Sequence, residues 1–191
     1  ITEYIGKYSF RIEANAFFQT NTLQAEKLYE TAKVFADIKS GDVVYDLYCG
    51  VGSLTLFVSE LAKTVVGIEI NEISVQNAIQ NRDRNNVPHC KFEVGDMKDV
   101  FTKEIIKKYG RPDVIITDPP RAGMHGDVVA HLNELAVDRL VYVSCNTATL
   151  SRDLELLSES YEVQAVQPVD MFPQTYHIEA VASLRRKGHT A

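Results

Sequence analysis

The sequence has few cysteines and no pattern among them. Cys49, Cys90 and Cys145 are odd in number and form no C-x-x-C pair, which argues against a disulfide framework or a zinc site and points to a reducing compartment, the cytoplasm. No apolar run approaches the roughly 18 residues that cross a bilayer, so no membrane partner is expected. Residues 1–7 lack a basic stretch followed by an apolar one and are not read as a secretion signal. Positive charge is also short: the formal net charge is −6, whereas a complete nucleic-acid binder usually carries a basic face. Any grip on nucleic acid is then local or lies outside this chain. The chain opens on Ile1 rather than methionine and is expected to be a fragment of something longer, cut at a domain boundary.

What is present suits one globular domain. The 191 residues are 45% hydrophobic and 24% charged, enough for a sizeable core. Apolar β-rich runs alternate with helical periodicity. Residues 4–13 read as a short strand or extended arm. Residues 22–38 read as a helix with Ala25, Leu28, Ala32 and Phe35 on one face and Asn21 or Thr22 as its cap. Strands are expected at 43–47, 64–70, 90–94, 113–117 and 139–144. Helices are expected at 53–61, 72–85, 98–109, 126–136 and 147–158. Residues 161–168 and 179–184 should close the chain as an antiparallel pair at the sheet edge. This alternation predicts an α/β fold, with a parallel sheet, right-handed crossovers and helices on both faces.

Asp46-x-x-x-Gly50-x-Gly52 follows a strand and opens a helix, so Gly50 and Gly52 allow a tight turn and close approach of backbone to a ligand. A dinucleotide fingerprint needs a third glycine, and Thr55 stands there instead. A ligand without a pyrophosphate fits better. Glu69 ends the next strand, where an acid typically accepts hydrogen bonds from ribose hydroxyls. Asp96 ends the strand after it and is placed to meet an adenine amino group, although an acid there taken alone is more often a solvated loop residue or helix cap. Glycine turn, acid and acid on successive strand tips point to S-adenosylmethionine, whose sulfonium the acids also suit. Tyr48, inside the glycine turn, is expected to pack against it.

Asp118-Pro-Pro-Arg121 ends the fourth strand, and its prolines stiffen the turn. Amine-methylating enzymes carry an aromatic residue where Arg121 stands, so that chemistry loses its stacking platform. Arg121 reads as a contact to substrate or, equally, as one half of a loop salt bridge. Cys145 follows an apolar strand and precedes a helix, unlike Cys49 and Cys90, which read as small buried hydrophobes. A helix N-terminus favours a thiolate by only about 0.3–1 kcal/mol, so Cys145 need not be mostly ionised at rest to act as a nucleophile. His177 and Glu179 are two apart on an expected strand and would share a face. Arg185, Arg186 and Lys187 read as a solvated tail rather than an RNA contact.

Together, Phe17-Phe-Gln-Thr-Asn21, the Asp46–Gly52 turn, Gly67-Ile-Glu69, Asp118-Pro-Pro-Arg-Ala-Gly123, Ser144-Cys-Asn146 and His177-Ile-Glu179 resemble the RNA 5-methyluridine methyltransferases in order and spacing. The resemblance implies a class I methyltransferase fold with a mainly parallel seven-stranded sheet. It makes residues 1–191 a catalytic domain, entered through an arm and helix at 1–40. The family's N-terminal RNA-binding barrel and central domain, with an iron–sulfur cluster in some members, would lie outside this chain, and no metal is expected within it. Carried over by position, the resemblance assigns Gln19, Tyr48, Glu69 and Asp118 to S-adenosylmethionine, Cys145 to nucleophilic attack on uracil C6, and Glu179 to removal of the C5 proton. The implied activity is methyl transfer to C5 of a uridine in RNA, with 23S rRNA favoured over tRNA. An RNA cytosine-C5 methyltransferase is the competing enzyme, though such enzymes place the nucleophile in Pro-Cys or Thr-Cys rather than Ser144-Cys145. A cofactor-binding module without activity is the non-enzymatic alternative.

Overall fold

The computed structural model describes residues 1–13, 17–99 and 103–188. In chain order its elements are β1 (Thr2–Ile5), β2 (Tyr8–Arg11), α1 (Thr22–Ala36), β3 (Val43–Leu47), α2 (Ser53–Val58), β4 (Thr64–Glu69), α3 (Glu72–Arg84), β5 (Cys90–Val94), α4 (Lys103–Tyr109), β6 (Val114–Thr117), α5 (Gly126–Leu135), β7 (Arg139–Ser144), α6 (Thr147–Leu157), β8 (Tyr161–Val169) and β9 (Glu179–Arg186).

Seven strands form one sheet in the order β5-β4-β3-β6-β7-β9-β8. The pairings from β5 across to β7 are parallel, and β9 runs antiparallel to both its neighbours. β6 and β7 are buried throughout, as strands covered on both faces must be. Side-chain alternation splits the core into two layers: Val44 joins the one built with α1 and α3, and Tyr45 and Leu47 join the one built with α5 and α6. Strand order reverses between β3 and β6, and an open α/β sheet places its ligand crevice beyond the carboxyl ends of strands at such a point.

The expected alternation is present, with four differences. Residues 4–13 do not form a single arm. β1 and β2 pair as a hairpin with Gly6 in its turn at φ +55°. Ile5, Tyr8, Phe10 and Ile12 bury their side chains, while Asn85 and Asn81 pair with the backbone of Ser9 and Arg11. The helix expected at 53–61 gives way to a 3-10 turn at Ser59–Leu61. The helix expected from 98 starts at Lys103; residues 97–99 form a turn, and 100–102 lie outside the described residues. The closing pair is antiparallel as expected, but β9 inserts between β7 and β8. Among the described residues no helix is long and apolar enough to cross a membrane.

Candidate active site

The glycine turn leaves β3 through Tyr48 at φ +63°, Gly50 at φ +53° and Gly52 at φ +80°. The two glycines do different work. Nothing lies within 4 Å of where a Gly50 Cβ would stand, so its backbone faces open space. A Gly52 Cβ would lie 2.8 Å from Phe92 Cζ and 3.1 Å from Ala78 Cβ. Gly52 is therefore required for packing of the turn on α3 and β5, and it is Gly50 that leaves backbone free to meet a ligand.

A cleft opens beside this turn, with about 360 Å³ of empty space counted to its mouth. Phe17, Gln19, Tyr48, Gly50, Asp46 and Asp118 line it, so the segment before α1 meets the tips of β3 and β6 there. Sequence reasoning missed Tyr29 and Ser53, which also line it and share a hydrogen bond of 2.7 Å. Their only signal was position: Tyr29 sits on the buried face of α1, and Ser53 begins α2.

Asp46 is buried and accepts a 2.5 Å bond from Thr55 Oγ1. Burial pushes its carboxyl up to about 7, with repulsion from Glu69 adding to the effect and the Thr55 bond opposing it. Thr55, where a third glycine would stand, thus props the acid at the root of the cleft. Glu69, at the end of β4, is tied to the glycine turn: its carboxylate accepts from the amides of Gly50 at 3.2 Å and Asn71 at 2.9 Å. Asp96 caps its own turn, accepting from the Lys98 amide at 3.0 Å, and that bond holds its carboxyl below the usual range. It stands at the β5 tip, near enough to bear on the Tyr48 hydroxyl, which burial above all raises to about 12.

Four further groups gather at this edge, where β6 and β7 end and β9 begins. Asp118 lines the cleft at the end of β6, and burial followed by the charges of Glu179 and Asp46 drives its carboxyl well above the ordinary value. Neither Asp46 nor Asp118 has an ion-pair partner among the described residues. Cys145 follows β7 and is partly exposed, whereas Cys49 and Cys90 are buried. Its thiol is raised by burial and then by Glu179 and Asp118, against the pull of the Arg121 charge. Glu179 opens β9; burial raises its carboxyl, and Arg121 again opposes. Arg121 is exposed, and its guanidinium has no partner among the described residues, so the loop salt bridge does not form there. Asn146, not Cys145, caps α6, accepting from the Ala148 amide at 3.0 Å. Cys145 is therefore one residue outside the helix, and the helix dipole reaches it weakly.

Two expectations are corrected. His177 does not share a strand face with Glu179, because β9 begins at Glu179; His177 lies in the preceding loop with its ring 4.2 Å from that of Tyr176. Arg185, Arg186 and Lys187 are not a solvated tail. Arg185 pairs with Asp37 at 3.4 Å, Arg186 with Asp138 at 3.0 Å, and Lys187 Nζ donates to Ser158 O.

The strand order, the switch-point cleft and the acid-tipped glycine turn define a class I methyltransferase fold. The chain matches the family described as tRNA (Uracil-5-)-methyltransferase over residues 5–187, and it belongs to that family. An "Uncharacterized RNA methyltransferase" of Bacteroides thetaiotaomicron is 50% identical over 92% of this chain and 38% of its own length. One of Chlorobaculum tepidum is 45% identical over 97% and 39%. The crystal structure of the Pyrococcus abyssi tRNA (uracil-54, C5)-methyltransferase with S-adenosyl-L-homocysteine superposes with a TM-score of 0.84 at 35% identity, covering 96% of this chain and 44% of that one. The chain thus spans about two fifths of the length of these relatives.

Proposed function

We propose that this chain is the catalytic domain of an S-adenosylmethionine-dependent RNA methyltransferase that acts on C5 of uridine. The observation that carries it is the meeting of Cys145, Glu179, Asp118 and Arg121 beside the acid-lined cleft. The residues present suit the donor. Asp46 is buried and Asp118 half-buried, neither with an ion-pair partner among the described residues, Gly50 leaves room for a close ligand, and Glu69 already holds amide hydrogen bonds that ribose hydroxyls can replace. Gln19, Tyr48, Gly50, Glu69 and Asp118 would hold it. Asp96 at the β5 tip would meet the adenine, and Gly52 supports the turn from behind. Bound there, S-adenosylmethionine supplies an electrophilic methyl group to C5.

This chain's own residues prepare the base. C5 of uracil is too weak a nucleophile unaided. The Cys145 thiolate adds to C6, moving the C5–C6 electron pair through C4 onto O4 as an enolate and making C5 electron-rich. After methylation, Glu179 takes the C5 proton, the double bond reforms, and the Cys145–C6 bond breaks to return the thiolate. Arg121 favours both anionic forms and contacts the substrate. The target uridine must be unpaired or leave its stack to reach Cys145. Capture of the RNA is proposed to rest with the further segments that relatives of this length carry, in keeping with the net charge of −6.

The test is transfer of labelled methyl to tRNA and 23S rRNA transcripts, followed by digestion to nucleosides. The family description and the Pyrococcus relative both name tRNA, so tRNA is assayed first and 23S rRNA beside it. Label in 5-methyluridine supports the proposal. Label in 5-methylcytidine, or donor binding without transfer in the protein that also carries the RNA-capturing segments, would replace it with one of the competing readings.

A further inference from the structure

Helix α6 grips the turn that carries Arg121 along its whole length. The Arg121 carbonyl accepts from Asn146 Nδ2 at 3.1 Å and Thr149 Oγ1 at 3.2 Å, and Asn146 is the residue after Cys145. The Ala122 carbonyl accepts from Arg152 Nη2 at 3.0 Å. Gly123, at φ +79°, sits so close to the helix that a Cβ would lie 2.5 Å from Arg152 Nη2 and 2.6 Å from Asp153 Oδ2. The Met124 amide donates to Asp153 Oδ2 at 2.8 Å. Asp153 is wholly buried and also accepts from the Tyr142 hydroxyl at 2.7 Å and from Arg152 at 2.6 Å.

Arg121, Ala122 and Met124 are therefore bonded through their backbone to side chains of one helix and its cap, and Gly123 packs directly against it. The single long side chain among them that carries charge, Arg121, has its head free. Clamping the backbone fixes where the Arg121 side chain is rooted and so confines the region its charge can reach. We propose that Arg152 and Asp153 are positioning residues that act through the backbone of 121–124 to keep the Arg121 side chain rooted where its charge reaches Cys145 and Glu179. The charged groups facing Cys145 are Arg121 and Asp118 on the turn after β6 and Glu179 on β9. Arg121 is the one that favours the thiolate. The clamp rests on the proposed function only for what that thiolate attacks.

The experiment is the rate of Cys145 alkylation by iodoacetamide as a function of pH, with the modified residue located by peptide mass. It needs neither RNA nor donor. Arg152 is half exposed, so Arg152→Ala is the main variant, with Thr149→Val as a milder one and Arg121→Ala as the reference. Loss of the clamp should raise the alkylation midpoint in Arg152→Ala by roughly half a unit or more, in the same direction as Arg121→Ala. The double variant should sit no higher than Arg121→Ala alone, because both act through one charge. An unmoved midpoint in Arg152→Ala, or a shift that adds in full to that of Arg121→Ala, overturns the proposal, whatever happens to the melting temperature. A shifted midpoint in a protein that methylates no uridine would leave the clamp standing and remove the proposed function. Methylation with an unmoved midpoint would do the reverse.

Discussion

Cys49, Cys90 and Cys145 carry one thiol into three surroundings. Cys90 is buried in the core beside Thr55, and its thiol is pushed up to about 12. Cys49 touches the cleft but is buried, and that burial pushes its thiol well above the ordinary value. Only Cys145 combines partial exposure with a facing arginine. Cys145→Ser should therefore abolish methyl transfer while leaving the affinity for S-adenosyl-L-homocysteine, read by calorimetry, within a few-fold of the parent. Loss of both together would mean that the thiol supports the cleft rather than the chemistry. Glu179→Gln keeps the shape and removes the base. General base help is worth about 10²–10⁴-fold, so turnover should fall by that range and protein–RNA adduct should accumulate, visible as a slow band on a denaturing gel. Asp46 has a stability signature. Its folded value of about 7 lies above the ordinary 3.8, so the folded state holds the proton more tightly. The cost of its charge is absent below about pH 4, grows between the two values and is full above about pH 7. Asp46→Asn should then melt higher than the parent at pH 8, with the gap closing as pH falls toward 4; a gap that is flat with pH would contradict that origin.

The hairpin of β1 and β2 hangs on two amides of one helix. Asn81 Oδ1 accepts from the Arg11 amide at 2.8 Å, and its Nδ2 donates to the carbonyls of Arg11 at 3.2 Å and Val51 at 3.3 Å. Asn85, one turn on, does the same for Ser9. Asn81→Ala strands buried backbone groups at about 1–3 kcal/mol, which for a chain of this size lowers the melting temperature by roughly 2–12 °C. A calorimetric scan checks it. Elements with a strong period were legible in the sequence: β3, β4, β6 and β7 as apolar runs, and α1 from Ala25, Leu28 and Ala32. The hairpin was not, because the ten residues from Thr2 to Arg11 hold two short strands and a turn whose partner is an asparagine pair some 70 positions away. The grip of α6 on residues 121–124 was hidden for the same reason. Asn146, Thr149, Arg152 and Asp153 look like a polar face of a surface helix until the turn is seen lying on it.

At the scale of the molecule, sheet order does what local sequence cannot. Asp46, Glu69, Asp118, Cys145 and Glu179 are spread over 134 positions; the first four lie at or just past the carboxyl ends of β3, β4, β6 and β7, which run parallel, and Glu179 joins them because β9 runs the other way and begins at that edge. The motifs named the residues in order; inserting β9 between β7 and β8 is what sets Glu179 beside Cys145. The central claim is that Cys145 bonds covalently to C6 of a uridine while Glu179 waits for the C5 proton. Its most direct test is incubation of the protein and S-adenosylmethionine with RNA carrying 5-fluorouridine, whose C5 has no proton to surrender after methylation. The account predicts a stable methylated adduct, mapped by mass spectrometry to Cys145 and missing in Cys145→Ser. Methyl transfer without any adduct, or an adduct that survives in Cys145→Ser, would contradict it.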